Sequence, residues 1–474
     1  MNPVSSRTER TRSPRGRRSW LVCLLAMMLS TVAPSLAQTQ SQPQHLVQNQ
    51  DGRPLSLDQA VALALDSDEQ IQQMVETLAG ARADVLAAGA GRLPQVALNG
   101  AWTRNLKKPA FFLPPEFAAA FGGASSVEAG RDWDLKAAAS VTLNLWTAGR
   151  LSHARALAEQ GVEAVRRQQA LARDAVRFRV TRAYWDLLLA GERVRIAEQA
   201  LALAQEGRRV AEAAHAEGHA SRFELLRADV ELTNRQAPLV QARNQQRLKE
   251  LALLRLCGLE PGTNLLLTSE LKAAPAPEAE DVLLERMHRD SPELRALEHK
   301  VKAAELATDL ARAGSGPVVQ LQGTYAVQGQ WDDDLFPGGD ETAGSLNAAL
   351  GVSWPLFDGL ATKAATQKRE ADLRVARLEY TRAVRDRELG VRQARTNLEN
   401  ARLALEGRRE GVELATEAHR LAVIRKENGL ATPLELLDAE LALTMARVQL
   451  AEALHDANIA AASLELAVGG SEEK

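Results

Sequence analysis

The sequence predicts an α+β protein made of two similar halves, each with two short β-strands and unusually long antiparallel α-helices. Stretches of alternating apolar residues end at Gly149 and Gly359, and more than seventy residues without proline follow each glycine. Aromatic residues make up only 4% of the 474 residues, while alanine, leucine and charged residues that favour helices are abundant. The same order of elements then occurs twice along the chain.

The first 37 residues have the pattern of a signal peptide. Six arginines precede an apolar run from Trp20 to Val32, and a small-x-small cleavage site follows at residues 35–37. The run is shorter than the roughly 20 residues of a membrane-spanning helix, so a retained anchor is the weaker alternative. Cleavage after Ala37 removes six arginines and one glutamate, which changes the formal net charge from −3 to −8. Residues 38–54 are rich in Gln, Ser and Pro, and we expect them to be disordered.

The residue inventory argues against an enzyme, a metal site and a nucleic-acid-binding protein. Cys257 is the single cysteine of the mature chain, so no intrachain disulfide can form, and we expect a buried thiol at a helix end. The eight histidines show no metal-ligand spacing, and neither a nucleophile motif nor a glycine-rich phosphate loop is present. The charge balance gives no reason to expect nucleic acid. The sequence therefore predicts no cofactor and no catalysis.

The first repeat covers residues 55–272 and begins with a capping box at Ser56 and Gln59. Pro94 ends the first helix, Gly218 lies in the turn between the last two helices, and Pro238 is expected to kink the last one. The predicted elements are a helix over 57–90, strands over 95–104 and 137–146, and helices over 150–216 and 221–256.

The second repeat covers residues 280–468, after a linker at 273–279 and before a tail at 469–474. Three turn or stop residues recur at offsets of 223, 210 and 211 residues: Pro94 with Pro317, Gly149 with Gly359, and Gly218 with Gly429. The predicted elements are a helix over 280–313, strands over 318–328 and 346–354, and helices over 360–428 and 433–468. The best internal match pairs residues 223–232 with 434–443, which indicates a duplication.

The four predicted strands have the length and the alternation of strands that cross a membrane. Transmembrane strands need about 9–11 residues when tilted, with an apolar side toward lipid and a polar side toward water. Alternation alone fits a half-buried sheet of a soluble protein equally well, but the signal peptide and the nearly charge-free strands favour the membrane. Four strands cannot close a barrel, and the smallest single-chain barrels have about eight. Several chains must contribute, and three would form a twelve-stranded barrel.

The predicted helix lengths indicate a tube that continues this barrel. A helix over 150–216 would be about 100 Å long. The two shorter helices of the same repeat could lie end to end along it, and a helix of this length needs a partner along its apolar stripe. The strands would therefore cross a membrane, and the helices would extend the same wall into the periplasm.

These features resemble the TolC-like outer-membrane efflux family over residues 55–468. The matching motifs are Leu57-Asp-Gln-Ala60, Arg92-Leu-Pro-Gln95, Leu145-Trp-Thr-Ala-Gly149, Pro355-Leu-Phe-Asp-Gly359 and the duplicated Glu-Leu-Leu-x-Ala after each tip turn. The resemblance implies an outer-membrane homotrimer with a twelve-stranded barrel in lipid and a periplasmic helical tunnel. It also implies a passive exit duct for a drug efflux pump or type I secretion system, with an inner-membrane transporter and a periplasmic adaptor as partners.

The resemblance also suggests a periplasmic gate. Glu435 and Asp438 match the acidic residues that ring the closed end of similar tunnels, and a spacing of three places them on one helix face. The alternative for Glu435 is a capping box, because Thr432-Pro-Leu-Glu435 has Pro at the first helical position. Asp438 has no such explanation, and Arg227 takes its place in the first repeat.

The chain departs from the family pattern at the lock beside this gate. The positions where a tyrosine and an arginine often bridge neighbouring helices are Lys426 and Ala431 here. Glu224 matches the acidic partner, so an ion pair between Lys426 and Glu224 is one interpretation and two solvated charges are the other. The tip turns match the adaptor-docking loops of similar proteins; they are Gly218, His219, Ala220 and Ser221 in the first repeat, and Gly429, Leu430, Ala431 and Thr432 in the second.

Several aromatic residues lie in or beside the predicted outer loops. Phe111, Phe112, Trp133 and Trp331 fit either the membrane interface or packing within the loops. The acidic run at residues 332–334 is expected in a solvated loop. The main alternative for the whole chain is a periplasmic coiled-coil scaffold without a pore, in which each strand pair forms a small soluble sheet.

Overall fold

The structure, a computed structural model, describes residues 53–108, 110–112, 114, 126–128, 130–332, 335–337 and 341–470. The predicted signal peptide and most of the segment predicted to be disordered lie outside these residues. The helices are α1 (Leu57–Ser67), α2 (Glu69–Ala90), α3 (Arg150–Ala216), α4 (Arg222–Leu256), α5 (Glu280–Asp290), α6 (Pro292–Arg312), α7 (Ala361–Glu427) and α8 (Pro433–Val468). The strands are β1 (Arg53–Leu55), β2 (Gln95–Arg104), β3 (Ala110–Phe112), β4 (Ser126–Glu128), β5 (Trp133–Trp146), β6 (Leu265–Leu267), β7 (Val318–Trp331) and β8 (Thr342–Ser353).

The long helices agree closely with the prediction. α3 and α7 each contain 67 residues, so each is about 100 Å long. Left-handed backbone precedes both: Gly149 has φ of +85°, and Gly359 and Leu360 have φ of +66° and +71°. α4 continues through Pro238 as one helix. None of the described helices is both long enough and apolar enough to span a membrane.

Two helices predicted as continuous are each divided. The predicted helix over 57–90 is interrupted at Asp68, whose carboxylate accepts hydrogen bonds from the backbone N–H groups of Gln70 and Ile71. The predicted helix over 280–313 is interrupted at Ser291, which caps α6 in front of Pro292. In both cases a side-chain cap competes with the helix for the same backbone donors. The apolar periodicity continues across each break, which is why the pattern did not reveal it.

The short helices lie along the long ones, as their lengths predicted. α2 and α4 pack on α3, while α6 and α8 pack on α7. α6 and α8 also pack on α3, so this helix joins the two repeats. Within the second repeat, α5 packs on α7 and α8.

Each repeat has its own apolar core. In the first, Val176, Val180 and Tyr184 of α3 pack against residues of β1 and α1. In the second, α5, α7 and α8 enclose a core that includes Leu283, Met287, Val391, Leu398 and Val468. Cys257 is buried in the first core at the end of α4, as predicted, and burial raises the pKa of its thiol to about 11.

A short parallel pairing of β1 with β6 was not predicted. Arg53, Pro54 and Leu55 pair with Leu265, Leu266 and Leu267. The boundary of the predicted disordered segment is therefore wrong at its end, because residues 53 and 54 belong to this strand. Tyr184 holds the pair on α3, since its hydroxyl is 3.0 Å from the Leu55 carbonyl oxygen.

The four predicted transmembrane strands form one antiparallel sheet with the order β2-β5-β7-β8. β5 and β7 come from different repeats, so the sheet joins them. β5, β7 and β8 contain 14, 14 and 12 residues, which is longer than predicted. The added residues lie at the end where the loops join, and polar residues such as Asp134 and Gln330 continue the ladder there. β3 and β4 pair in antiparallel orientation between β2 and β5.

The strand register gives this sheet one apolar and one polar face. Residues directly opposite each other share a face, and the pairing aligns the apolar residues of all four strands. The aligned pairs are Val96 with Val141, Trp102 with Leu135, Leu143 with Leu321, Leu321 with Leu350, Tyr325 with Leu346 and Val319 with Val352. The opposite face pairs Ser140 with Thr324, Asn144 with Gln320 and Thr324 with Asn347. All ten residues of β2 are exposed, including Leu98 at 81%.

Candidate functional site

The two tip turns have the same backbone geometry. Gly218 has φ of +78° and Gly429 has φ of +71°. The next N–H in each turn bonds back by five residues, from His219 to the carbonyl of Ala214 and from Leu430 to that of Arg425. This 6→1 bond, with a left-handed glycine after the helix, is the Schellman arrangement, and it satisfies carbonyl groups at the end of α3 and α7.

The last residue of each tip turn, Ser221 or Thr432, caps the helix that follows it. Ser221 and Glu224 form a complete capping box: the hydroxyl accepts from the Glu224 N–H, and the Glu224 carboxylate accepts from the Ser221 N–H at 2.7 Å. Thr432 accepts from the Glu435 N–H at 3.3 Å. The Glu435 carboxylate does not return to the backbone of Thr432, so the predicted second capping box is only half formed. A carboxylate oxygen of Glu435 instead lies 3.5 Å from the guanidinium of Arg425.

The residues predicted to form a gate have different surroundings. Asp438 is exposed, and its carboxylate makes neither a hydrogen bond nor an ion pair with any described residue. Glu435 is also exposed, but Arg425 offsets part of its charge. Both acids lie in the first two turns of α8. Asp438 is therefore the less constrained of the two carboxylates.

The predicted ion pair between Lys426 and Glu224 does not form. Both residues line one cleft at the tip, but the Glu224 carboxylate is held in its capping box instead. A cap within the same turn fixes fewer side-chain torsions than a pair between two hairpins, which explains the outcome. The cleft lies between the α3–α4 hairpin and α8, and its apolar lining includes Leu203, Val210, Phe223, Leu434 and Leu437.

Glu440, which no sequence motif singled out, lies deeper in the cleft. Burial raises the pKa of its carboxyl, and the positive charges of His419 and Lys426 oppose that shift. His419 Nε2 is 4.0 Å from a Glu440 oxygen and joins α7 to α8. Glu440 lies two residues beyond Asp438 and five beyond Glu435, so it is not on the helix face that they share and its spacing gave no signal.

At the opposite end of the strands, the aromatic residues take different positions. Trp331 is 1% exposed, which favours packing over an interface position. Trp102 contacts Trp133 and Phe336 through ring centroids 5.2 and 5.8 Å apart. Phe111 and Phe112 are exposed.

An ionic network connects the two outer loops at this end. Lys108 Nζ is 3.0 Å from carboxylate oxygens of Asp132 and Asp332. The pKa of Asp332 is lowered, first by the backbone N–H of Asp132 and then by Lys108. Asp332 therefore links the two loops through Lys108 and is more than a solvated charge. Residues 333 and 334 of the acidic run lie outside the described residues. Within the residues that the structure covers, no cluster of His, Cys, Asp or Glu could hold a metal ion.

Comparisons with known proteins agree with this architecture. A family model described as outer membrane efflux protein matches residues 60–259 and 283–470, and the interval between the two matches contains the predicted linker. Outer membrane protein OprJ of Pseudomonas aeruginosa is 27% identical over 419 residues, which cover 86% of this chain and 83% of OprJ. Outer membrane efflux protein BepC of Brucella suis is 25% identical over 294 residues, which cover 62% of each chain.

A solved structure shares the fold. The open state of the MtrE outer membrane channel of Neisseria gonorrhoeae superposes with a TM-score of 0.70 at 20% identity, covering 87% of this chain and 89% of MtrE. The family match spans most of both repeats, and the apolar sheet face and the long helices agree with it. The chain therefore belongs to the outer membrane efflux protein family, in agreement with the TolC-like resemblance of its sequence, and it is an outer-membrane protein with a periplasmic helical extension.

Proposed function

We propose that this chain assembles as a homotrimer and forms the outer-membrane channel of a tripartite efflux pump, acting as a passive exit duct from the periplasm. The observation that carries the proposal is the single four-stranded sheet, apolar on one face, that continues into helices about 100 Å long. A scaffold made of two separate soluble sheets is not favoured, because β5 and β7 join the strands of both repeats.

The open sheet edges support the trimer. Within the described residues, nothing pairs with the outer edges of β2 and β8. In lipid each unpaired backbone group costs several kcal/mol, so the edges must find partners. Pairing β8 of one chain with β2 of the next closes a barrel, and three chains give twelve strands, which exceeds the minimum of about eight.

The tip turns support docking of a periplasmic adaptor, which would connect the channel to an inner-membrane transporter. Leu430 is 70% exposed at the second turn, and Phe223 is 73% exposed just after the first. Apolar side chains exposed at the far end of a helical extension fit a protein partner. The relatives are described as outer membrane and efflux proteins, which favours efflux over type I secretion as the service of this channel.

The gate in this proposal consists of Asp438 with a smaller contribution from Glu435. Three copies of each would place six carboxylates around the periplasmic opening, which would favour cations over anions. Glu224 and Lys426 contribute to the lining of the tip cleft and do not pair with each other. The chain performs no chemistry in this mechanism; it supplies a wall, an opening and a docking surface.

Bilayer recordings with the purified full-length protein test the pore. We expect cation-selective single-channel conductance in planar lipid bilayers, because each chain would place the unpaired Asp438 at the proposed opening. A strain lacking the gene should also accumulate an exported dye, and the plasmid-borne gene should reverse this. Protein that inserts in bilayers without conductance, together with unchanged dye accumulation, would contradict the proposal. If the strain lacking the gene instead fails to secrete a protein substrate, that result would favour type I secretion.

A further inference from the structure

A line of polar contacts joins the two helical hairpins above the tip cleft. It runs between α3 and α8, and Asp186 bonds His455 at 2.8 Å, Arg193 bonds Glu452 at 2.6 Å, and Arg447 bonds Gln199 at 3.2 Å. Closer to the tip than Gln199, α3 and α8 line the cleft instead. The contacts therefore lie where the α3–α4 hairpin and the α7–α8 hairpin begin to separate.

The pair of Asp186 and His455 is the most protected of these contacts. The two side chains are 20% and 14% exposed, whereas Arg193 and Glu452 are 46% and 40% exposed. Exposed ion pairs contribute little, and shielding from water strengthens the remaining one. Asp186 also accepts a hydrogen bond from Lys249 on α4 at 2.7 Å, so three helices meet at this carboxylate.

The geometry around His455 requires the charged form of its ring. Nε2 faces Asp186 at 2.8 Å, and Nδ1 faces a carboxylate oxygen of Asp456 at 3.0 Å. Only the imidazolium can donate to both, because the neutral ring carries one N–H and presents a lone pair at the other nitrogen. Loss of the proton therefore removes one bond and turns the charged contact between the helices into a weaker one.

We propose that Asp186 and His455 form a proton-dependent latch between the two helical hairpins, closed when His455 is protonated and loosened when it is neutral. The charged groups that face the latch are Asp186 on α3, Lys249 on α4 and Asp456 on α8 itself. α5 and α7, which also pack on α8, contribute no hydrogen bond or ion pair to His455 within the described residues. The latch concerns the contact between the hairpins, so it does not depend on the identity of the gate residues.

The direction of the pH dependence follows from both partners. Burial would lower the pKa of His455, but its bonds to Asp186 and Asp456 outweigh burial and raise it. The stabilisation is therefore complete below the ordinary histidine pKa of about 6.5 and is lost as pH rises through the raised value. Burial would raise the pKa of Asp186, but His455 and Lys249 lower it to about 2. The stabilisation that ionised Asp186 provides is lost only in strong acid, as pH falls toward 2.

Hydrogen exchange of the detergent-extracted complex tests the latch. Exchange is followed by mass spectrometry from pH 5.5 to 8.5, with correction for intrinsic exchange rates, in peptides covering 180–200 and 445–462. We expect protection to fall as pH rises, by up to about tenfold for each unit by which folding raises the pKa of His455. This fall in protection with rising pH is the expected step. His455→Gln and Asp186→Asn should each remove it. Absence of the step in the unaltered protein, or its persistence in His455→Gln, would overturn the proposal.

Three further variants separate the latch from general destabilisation. Asp456 is 70% exposed, so Asp456→Asn leaves the packing unchanged, and we expect the step to move to lower pH. His455→Lys keeps a cation at the site, and its protection should not change over this pH range. His419→Gln is the matched control, because His419 joins α7 to α8 within one hairpin, and it should retain the step. A step that is unmoved in Asp456→Asn or lost in His419→Gln would also reject the latch.

Discussion

At the scale of single residues, glycines with left-handed backbone decide where the helices stop, but their surroundings differ. A Cβ added to Gly218 or Gly429 would meet nothing within 4 Å, whereas one added to Gly258 would lie 2.6 Å from the Cβ of Ser67. All three have positive φ. The sequence predicts turns at Gly218 and Gly429, whereas the close contact of Gly258 depends on the packing of α4 against the end of α1.

This difference leads to a prediction about stability. Gly429→Ala should lower the free energy of unfolding by about 1–2 kcal/mol, the cost of left-handed backbone at a residue with a Cβ. Gly258→Ala should lower it by an additional amount of about 1–3 kcal/mol, because the methyl group overpacks against Ser67. Urea denaturation followed by helical circular dichroism measures both, and Gly218→Ala is the control that should resemble Gly429→Ala. Equal effects at Gly258 and Gly429 would show that the close contact with Ser67 relaxes freely.

The second prediction at this scale concerns ion passage. Asp438→Ala should raise single-channel conductance and reduce cation selectivity, because it removes an unpaired carboxylate from each chain at the proposed opening. Glu435→Ala should act more weakly, since Arg425 already pairs with Glu435. Glu217→Ala removes an exposed acid at the end of α3 and serves as the control. Unchanged conductance and selectivity in Asp438→Ala would exclude this residue from the gate.

At the scale of elements, one buried hydroxyl attaches a pair of short strands to a long helix. The Tyr184 hydroxyl donates to the Leu55 carbonyl at 3.0 Å and accepts from the Ser269 N–H at 3.3 Å. Tyr184 is 0% exposed. The β1–β6 pair has only three residues in each strand and would be unstable in isolation, so its position depends on this attachment.

We therefore expect Tyr184→Phe to destabilise the protein by about 1–3 kcal/mol, because the Leu55 carbonyl and the Ser269 N–H lose a buried partner. Amide exchange in residues 53–56 should increase, and denaturation should shift to lower urea concentration. Tyr380→Phe is the matched control, because the Tyr380 hydroxyl is only 3.4 Å from Glu298 in a half-buried position, and its effect should be small. Equal effects in the two variants would show that the attachment through Tyr184 does not matter.

At the scale of the whole molecule, the proposed trimer depends on what the sheet of a single chain leaves exposed. One face of the sheet exposes large apolar residues, and both sheet edges lack partners within the described residues. The apolar face suits lipid, but the edges need hydrogen bonds that lipid cannot supply. The unpaired edges therefore support the proposed oligomer independently of the family match.

The measurement at this scale is the mass of the native complex from outer membranes, corrected for bound detergent. We expect the mass of three chains and release by detergent only, because twelve strands then close the barrel. Urea or high salt in the absence of detergent should leave the protein in the membrane. A monomer, or release by salt alone, would contradict the trimer and revive the scaffold interpretation.

The sequence determined the local features of the fold. The ends of α3 agree with the prediction because Gly149 and Gly218 flank a stretch without proline, and the strand faces follow directly from a period of two. The duplication was visible because equivalent turns need the same glycines. The sequence also suggested Asp438 and Glu435, although only by resemblance, and no pattern revealed that Arg425 pairs with one of them.

Only the tertiary structure decided which distant segments meet. The joining of β5 to β7, the β1–β6 pair, and the bond between Asp186 and His455, which are 269 residues apart, have no local signal. Periodicity reports which side of an element is apolar, but the partner on that side depends on the packing of all elements together. Local capping competes with longer-range contacts and with helix continuation. It explains why Glu224 caps its own helix instead of pairing with Lys426, and why Asp68 and Ser291 interrupt helices whose apolar pattern continues.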